Sequence, residues 1–263
     1  MLVATWNVNS LKARLPRVEE WVAEVQPDVL MMQETNLADD KFPHLTFSAM
    51  GYESAHFGEG RWNGVAIMSK VGLDEVHSGF YSDEPEGWDH PAEARLIWAT
   101  CGPLRCACVY VPNGREVSND HYRFKLDWLA RLRNDLAQRV TEGDRFVIGG
   151  DWNIAPSSAD VWDVDVFDEN STHVSVPERE AMAAITDVGL RDTFRERYGD
   201  ADDLFSWWDY RGGNFHKRKG MRIDYLLATP PLADAAVSDL IDRNARKGTK
   251  PSDHAPVLAY YDV

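Results

Sequence analysis

The chain has 263 residues, of which 44% are hydrophobic and 27% are charged, so it is long enough and apolar enough to bury a substantial core. Its formal net charge of −15 argues against indiscriminate binding to nucleic acid, which depends on an excess of Lys and Arg. No apolar run approaches the roughly 20 residues that cross a bilayer, and the first residues lack the pattern of a secretory signal, so we expect no membrane association.

Short apolar runs alternate with helical patterns along the chain. Buried strands are predicted at residues 2–6, 29–32, 65–68, 96–100, 106–111, 146–148, 225–228 and 257–261. Helices are predicted over residues 11–25, 129–140 and 178–188, the last with Gly189 as its C-terminal cap. Because the two kinds of element are interspersed with no flexible linker, we expect one α/β domain over residues 1–263, with residues 157–177 as its longest loop.

The three cysteines, Cys101, Cys106 and Cys108, lie together in one apolar stretch. Their number is odd, and the C-x-C spacing matches no common structural zinc site. We therefore expect buried, reduced thiols on a strand, which favours a cytoplasmic protein.

Four polar residues stand at or just after the ends of predicted strands: Asn7, Glu34, Tyr110 and Asp151. Ligands of α/β proteins tend to bind at the carboxyl ends of strands, so we expect these side chains to share one rim. Asn7 and Glu34 offer the oxygen ligands that Mg²⁺ or Mn²⁺ prefers, although capping of a turn explains either residue alone. A tyrosine at a strand end is also common in a core.

The segment Gly149-Gly150-Asp151-Trp152-Asn153 is a stronger signal. Paired glycines after an apolar strand allow a tight turn and a close approach to a ligand. If the backbone there is extended, Asp151 and Asn153 point to the same side, where the carboxylate can activate water and the amide can bind a phosphoryl oxygen. An ordinary Asx turn explains the same pattern and stays open.

The segment Ser252-Asp253-His254 offers a histidine with two candidate carboxylate partners, the adjacent Asp253 and the distant Asp224. Neighbours on a strand face opposite ways, so we expect Asp224 to orient His254 while Asp253 faces a metal. A histidine held by a carboxylate is a tuned acid, base or charge donor, which suits phosphodiester hydrolysis. The other seven histidines have no comparable context and are expected at the surface or in loops.

A basic and aromatic region surrounds Asp224. Between residues 211 and 250, nine Lys and Arg stand against four Asp, a local net charge of +5. Contact with a phosphate backbone and an ordinary solvated surface are both open for this region. Trp207 and Trp208, with Arg222 just before Asp224, suit stacking on a base or sugar beside a phosphate, although adjacent tryptophans are also common in cores.

As an ordered set, these motifs resemble the exonuclease III family of abasic-site endonucleases, within the wider endonuclease/exonuclease/phosphatase superfamily. The resemblance runs from end to end, and further matching pieces are Trp62-Asn63-Gly64-Val65-Ala66-Ile67, Val109-Tyr110-Val111-Pro112-Asn113-Gly114 and Ser206-Trp207-Trp208-Asp209-Tyr210-Arg211. It implies a four-layered α/β sandwich, two mixed β-sheets packed face to face with helices on the outside. It also implies a metal-dependent nuclease that cleaves DNA 5′ to an abasic site, commonly with 3′-to-5′ exonuclease and 3′-repair activity.

Matched residue by residue, the resemblance implies a role for each motif position. The implied catalytic residues are Tyr110, Asp151, Asn153, Asp224 and His254. Asp151 would activate the attacking water, His254 would donate to the scissile phosphate, and Tyr110 would stabilise the transition state. The implied pocket for a flipped-out abasic sugar is formed by Trp207, Met221 and Ile223.

The resemblance further implies Mg²⁺ or Mn²⁺ at the site, as one ion or two. The implied neighbours of the metal are Asn7, Glu34, Asp151, Asn153, Asp253 and His254. Glu34 would be the principal ligand with Asn7 beside it. Asp253 would bind a second ion or act near the leaving oxygen.

The chain departs from the family pattern at Asn36, where Lys usually follows Gln-Glu-Thr, and in its acidic net charge. Both predict a weak, salt-sensitive grip on undamaged duplex. The expected partner is double-stranded DNA with abasic sites or blocked 3′ ends, bound by a monomer. A superfamily phosphatase or phosphodiesterase on a non-DNA substrate is the alternative. A catalytically silent nucleic-acid-binding regulator is a third reading, but it should have lost polar motif residues that are all present here.

Overall fold

The computed structural model describes residues 1–141 and 143–263. Within these residues, twelve strands form two six-stranded mixed sheets. The strands of the first sheet are β1 (Leu2–Asn7), β2 (Val29–Gln33), β3 (Glu53–Phe57), β4 (Val65–Ser69), β11 (Ala236–Ile241) and β12 (Val257–Tyr261). The strands of the second sheet are β5 (Asp74–Ser78), β6 (Leu96–Cys101), β7 (Leu104–Tyr110), β8 (Phe146–Asp151), β9 (Arg191–Asp192) and β10 (Asp224–Ala228).

Each sheet contains one parallel pair, and these pairs carry the polar strand ends. In the first sheet, of order β11-β12-β1-β2-β4-β3, the parallel strands β1 and β2 end together with Asn7 opposite Gln33. In the second sheet, of order β5-β6-β7-β8-β10-β9, the parallel strands β7 and β8 end with Tyr110 opposite Asp151. Because β10 runs antiparallel to β8, its first residue, Asp224, also lies opposite Asp151.

Helices cover the outer face of each sheet and complete the four layers that were predicted. The helices are α1 (Leu11–Val25), α2 (His44–Ala49), α3 (Asp120–Arg139), α4 (Val176–Thr186), α5 (Thr193–Tyr198) and α6 (Pro230–Ala233). On the first sheet, Val22 of α1 and Phe47 of α2 pack in one apolar cluster. On the second sheet, Leu132 of α3 and Ile185 of α4 do the same.

The inner faces of the two sheets share a continuous apolar layer. Met31 of the first sheet packs in the same cluster as Val147 of the second. The three cysteines lie in this layer, buried and free, which confirms the prediction of buried thiols. Since this core joins the sheets face to face, the ends of their strands come together at one edge.

All eight predicted strands are confirmed, seven of them within two residues of their predicted ends, while β8 extends three residues beyond its predicted end, to Asp151. The strands β3, β5, β9 and β11 were not predicted. The first three expose polar side chains or are very short, and β11 is mostly solvent-exposed, so none carries a run of buried apolar residues. In the described part of the chain, no helix is long and apolar enough to span a membrane.

The three predicted helices are also present. The second begins at Asp120, nine residues before the predicted start, because its first turns bury Tyr122 and Phe124 rather than a leucine repeat. The third is capped at its start by Ser175, whose side chain accepts a hydrogen bond from the backbone N–H of Glu178. The helix ends at Thr186 with Asp187 as its C-terminal cap, two residues before the predicted cap Gly189. Gly189 closes the turn that follows, with a φ of 100°, a left-handed conformation that glycine adopts without strain.

Candidate active site

The candidate site lies where the parallel pairs of both sheets end. The amide nitrogen of Asn7 donates to Oε1 of Glu34 at 2.8 Å and to Oδ2 of Asp151 at 2.9 Å. Its amide oxygen accepts from the backbone N–H of Asn9 at 2.9 Å, which fixes the orientation of the amide. Asn7 therefore links the carboxylates of Glu34 and Asp151 by donating a hydrogen bond to each. To bind a metal through its amide oxygen, the Asn7 side chain would have to rotate.

The glycines before Asp151 serve packing rather than a turn. Both belong to strand β8, and a Cβ at Gly150 would lie 1.8 Å from the carbonyl oxygen of Val109 on β7. The expectation of a tight glycine turn at this point was wrong. The close approach of β7 and β8 instead brings the ends of these strands, and the polar residues on them, close together.

His254 is oriented by Asp224, as predicted. Its Nδ1 lies 2.9 Å from Oδ2 of Asp224, while its Nε2 faces Oδ2 of Asp151 at 3.8 Å. Burial lowers the pKa of His254, but Asp224 and Asp151 outweigh this and raise it to about 10. The imidazole therefore carries a proton at neutral pH, which makes it a donor to a bound anion and a poor metal ligand.

Glu34, Asp151 and His254 converge at one point, and the two carboxylates of this group are the side chains that can hold a cation. One ligand atom from each lies within 4.8 Å of the others. Burial raises the pKa of Asp151 to about 7, with Asp224 and Glu34 adding to the rise and His254 opposing it. Two neighbouring carboxylates, that of Asp151 buried and that of Glu34 partly exposed, fit a hard divalent cation, which would relieve their mutual repulsion.

Tyr110 lies beside this group, with its ring against a cation. The Arg95 guanidinium stands 4.6 Å from the ring centroid, and its Nη1 donates to the carbonyl oxygen of Tyr110 at 3.2 Å. Burial, with the nearby carboxylate of Glu34, raises the pKa of Tyr110 well above its usual range. The phenol therefore keeps its proton and is available as a hydrogen-bond donor.

Asn153 lies at the site in a conformation that differs from the extended one expected. Its φ is 52°, and its backbone N–H donates to Oδ1 of Asp151 at 2.9 Å, so the segment forms an Asx turn. Its amide nitrogen donates to the carbonyl oxygen of Val111 at 2.9 Å, and its amide oxygen accepts from Asn113 at 3.1 Å. Asn153 is thus a buried brace behind Asp151, and a direct contact with phosphate remains a prediction.

Asp253 stands outside the group of three ligand residues. Its carboxylate accepts from Nδ2 of Asn9 at 2.8 Å and from Nε1 of Trp207 at 3.1 Å. Asp253 and His254 precede strand β12 and do not lie on a strand, so the strand geometry that was expected to separate them does not apply. The contacts place the Asp253 carboxylate beside Trp207. Its role at a second ion or at the leaving oxygen stays a prediction.

Of the four predicted substrate residues, Trp207, Met221 and Ile223 lie together beside the site, and Arg222 does not. Trp207 is half-buried, and its ring centroid lies 6.5 Å from that of His254. Met221 and Ile223 are buried in one apolar cluster against which Trp207 packs. These three residues form an apolar wall next to the acids, whereas the neighbouring Trp208 is fully buried in the core.

Arg222 does not belong to the site surface, and the expectation that it contacts substrate is corrected. Only 2% of its side chain is exposed, and its guanidinium forms ion pairs with Asp160 and with Asp192, the latter at 2.8 Å. A guanidinium that is buried and paired with two carboxylates is not accessible to DNA. Arg222 holds the loop of Asp160 and the short strand β9 onto β10.

Several residues near the site gave no signal in the sequence. Lys125 and Glu178 form a buried ion pair behind Asn153, and Nδ1 of His173 lies against the carbonyl oxygen of Asn153. His56 is buried on β3, where its Nε2 lies 2.8 Å from Oγ1 of Thr35, so the expectation of a surface or loop position was wrong for it. These contacts join residues that are 20 or more positions apart, and no local pattern encodes them.

The sequence is similar to known proteins over its whole length. A model of the endonuclease/exonuclease/phosphatase family matches residues 4–254. The chain belongs to this family. It is 32% identical to exodeoxyribonuclease III of Haemophilus influenzae over 99% of this chain and 100% of that protein.

Two solved structures of the family have the same fold over the full length of both chains. An AP endonuclease from Archaeoglobus fulgidus superposes with a TM-score of 0.93 at 36% identity. A 3′ phosphatase from Neisseria, bound to a product DNA hairpin, superposes with a TM-score of 0.93, also at 36% identity. These two proteins are equally similar to this chain in sequence, yet different reactions are named for them. Sequence identity therefore does not decide between the two reactions.

Proposed function

We propose that the protein cleaves the phosphodiester 5′ to an abasic site in double-stranded DNA and removes nucleotides from 3′ ends as an exonuclease. Its similarity to exodeoxyribonuclease III identifies the chain as a DNA repair nuclease. The position of the cleaved bond, 5′ to the abasic site, is proposed here in addition. The observation that carries the proposal is the convergence of Glu34, Asp151 and His254 within 4.8 Å, with Asp224 behind the histidine.

We infer that Mg²⁺ or Mn²⁺ is held by the carboxylates of Glu34 and Asp151. When bound, such an ion neutralises charge on the phosphate and activates water. The buried position of Asp151 supports this assignment, since burial raises its pKa to about 7 and a nearby cation favours its ionised form. If a second ion takes part, we propose Asp253 as one of its ligands.

The residues of the chain supply the rest of the chemistry. Asp151 orients the attacking water and accepts its proton. His254, kept protonated by Asp224, donates from Nε2 to a nonbridging oxygen of the scissile phosphate, and the Tyr110 hydroxyl donates to the same charge as it grows. The Asx turn at Asn153 holds the Asp151 carboxylate in place throughout.

The substrate is a duplex with an abasic site or a blocked 3′ end. An abasic sugar lacks a base and fits beside apolar side chains, and the wall of Trp207, Met221 and Ile223 offers such a surface next to the acids. We further propose that residues 1–263 act as one domain and one monomer, and that the enzyme works in the cytoplasm, where the buried thiols stay reduced.

Turnover of four substrates, three of them end-labelled duplexes, tests the proposal. They are a duplex with one tetrahydrofuran abasic analogue, the intact duplex, a nicked duplex with a 3′-phosphate, and an inositol polyphosphate, each with Mg²⁺ and with Mn²⁺. We expect a single cut 5′ to the analogue and slower shortening from 3′ ends. Release of phosphate from the 3′-phosphate duplex without cleavage at the analogue would contradict the endonuclease proposal and leave 3′ repair as the main activity.

A non-DNA phosphate ester, cleaved by phosphatase or phosphodiesterase action, is the second candidate substrate. The net charge of −15 favours it over DNA, because an acidic surface repels the extended line of phosphates on a duplex more than it repels a small substrate. Turnover of the inositol phosphate together with inactivity on every duplex would establish it. Metal-dependent turnover of any of the four substrates would exclude the third hypothesis, a nucleic-acid-binding regulator without catalytic activity.

A further inference from the structure

A buried ion pair lies behind the active site, on the side of Asn153 that faces the helices. Lys125 of α3 and Glu178 of α4 form it, and neither side chain has any exposed surface. The Glu178 carboxylate also accepts from Oγ1 of Thr172 and Oγ of Ser175, both at 2.6 Å. Buried charges are costly unless they are paired and hydrogen-bonded, and here both conditions are met.

The ammonium group of Lys125 reaches the backbone of two site loops. Its Nζ donates to the carbonyl oxygen of Asn153 at 2.6 Å and lies 3.3 Å from that of Asn113. Asn153 follows strand β8 and Asn113 follows strand β7, and their side chains are joined by a 3.1 Å hydrogen bond. One cation therefore fixes the segments that leave both strands of the parallel pair.

The turn that Lys125 holds is one that the backbone does not favour. Asn153 has a φ of 52°, in the left-handed region that a non-glycine residue enters at a cost. From this position its N–H reaches Oδ1 of Asp151 at 2.9 Å. If the turn relaxed, this hydrogen bond would be lost and the Asp151 carboxylate would be free to rotate away from Glu34 and His254.

We propose that Lys125, paired with Glu178, is a positioning residue that holds the Asn153 turn and through it the Asp151 carboxylate. Stability alone does not account for the pair, since buried ion pairs are often replaced by neutral groups of similar size without loss of stability. The kinetic part of the test rests on the proposed nuclease activity, whereas the structural part does not.

The test compares the wild type with the double variant Lys125→Met/Glu178→Gln, which removes both charges and keeps an acceptor for Thr172. Digestion of a duplex from a recessed 3′ end gives kcat and KM, and amide hydrogen exchange follows residues 151–155. We expect kcat to fall at least about tenfold with KM within about threefold, since a displaced catalytic group slows the reaction more than binding. Exchange in residues 151–155 should become faster.

Arg197→Met is the matched control. It breaks the ion pair of Arg197 with the buried Asp239, whose other partner, Thr193, is not a site residue. It should lower the melting temperature with kcat and exchange in residues 151–155 unchanged. If the double variant does not fold, Glu178→Gln alone takes its place with the same expected directions.

A folded variant with kcat within twofold of the wild type would overturn the proposal, whatever its exchange rates. If the wild type itself digests no duplex, the proposed nuclease function fails, and hydrogen exchange alone decides the positioning role. In that case unchanged exchange in residues 151–155 overturns it, and faster exchange there supports it.

Discussion

The protonated state of His254 depends on one neighbour more than on any other. Its Nδ1 lies 2.9 Å from Asp224, whose carboxylate is itself held by Oγ of Ser206 at 2.6 Å. The pair raises the histidine pKa from its ordinary value of about 6.5 to about 10. In the metal-free protein, the stability that this gives is complete below about pH 6.5 and is lost as the pH rises through about 10.

Asp224→Asn should lower the pKa of His254 and with it the upper pH limit of activity. Because the active form carries the proton, the rate falls as the pH rises through that pKa. We expect the alkaline limb of the kcat profile to move down by at least about one pH unit, the equivalent of about 1.4 kcal/mol. Single-turnover rates between pH 6 and 10 measure it, and an alkaline limb in the same place as in the wild type would contradict the pairing.

Arg222 provides a second residue-scale prediction, because its position corrects an expectation from the sequence. Arg222→Met leaves the buried Asp160 with Arg195 as its remaining cation, so we expect a loss of about 1–3 kcal/mol in the free energy of unfolding. Urea denaturation measures this loss. The KM for an abasic duplex should be unchanged at temperatures where the variant is folded. A raised KM with normal stability would instead support a contact between Arg222 and a DNA phosphate.

At the scale of elements, β12 is what ties the end of the chain to its beginning. It pairs with β1 on one side and with β11 on the other, so it lies inside the first sheet. His254 stands three residues before it. The end of the chain is therefore part of the core and also carries the side chain of His254, a proposed catalytic residue.

A chain that lacks residues 252–263 should not fold, since the loss of β12 leaves β1 and β11 with unpaired edges. His254→Asn should fold normally and lose most of its activity. Circular dichroism and thermal melting separate the two cases. A truncated protein with a cooperative melting transition like that of the wild type would show that β12 contributes less than its pairing indicates.

The elements that carry the site were predictable because they are buried. Strands β1, β2, β7 and β8 are apolar runs that end in a polar residue, and this pattern placed Asn7, Glu34 and Asp151 correctly at one edge. Edge strands such as β5 expose most of their side chains and carry no such pattern. The Lys125–Glu178 pair is a contact between two helices, and only the packing of α3 against α4 reveals it.

At the scale of the whole molecule, charge is distributed unevenly. The chain carries −15 overall, yet most Lys and Arg between residues 211 and 250 are exposed, among them Arg211, Lys217 and Lys247. Arg222 and Arg246 are buried and do not contribute to this surface. A local basic surface on an acidic protein is consistent with selective engagement of a damaged duplex and weak attraction to intact DNA.

In the proposed mechanism, Asp151, set among Glu34, Asn7 and His254, activates water at a metal-dependent phosphodiesterase site. Single-turnover incision of a duplex with one abasic analogue, by the wild type and by Asp151→Asn with saturating Mn²⁺, tests it most directly. We expect the wild type to cut 5′ to the analogue and leave a 3′-hydroxyl. The variant should melt at the same temperature or higher without metal, because it removes a buried charge near Glu34, and it should cut about 10²–10⁴-fold more slowly. Incision by the folded variant at the wild-type rate would contradict the account.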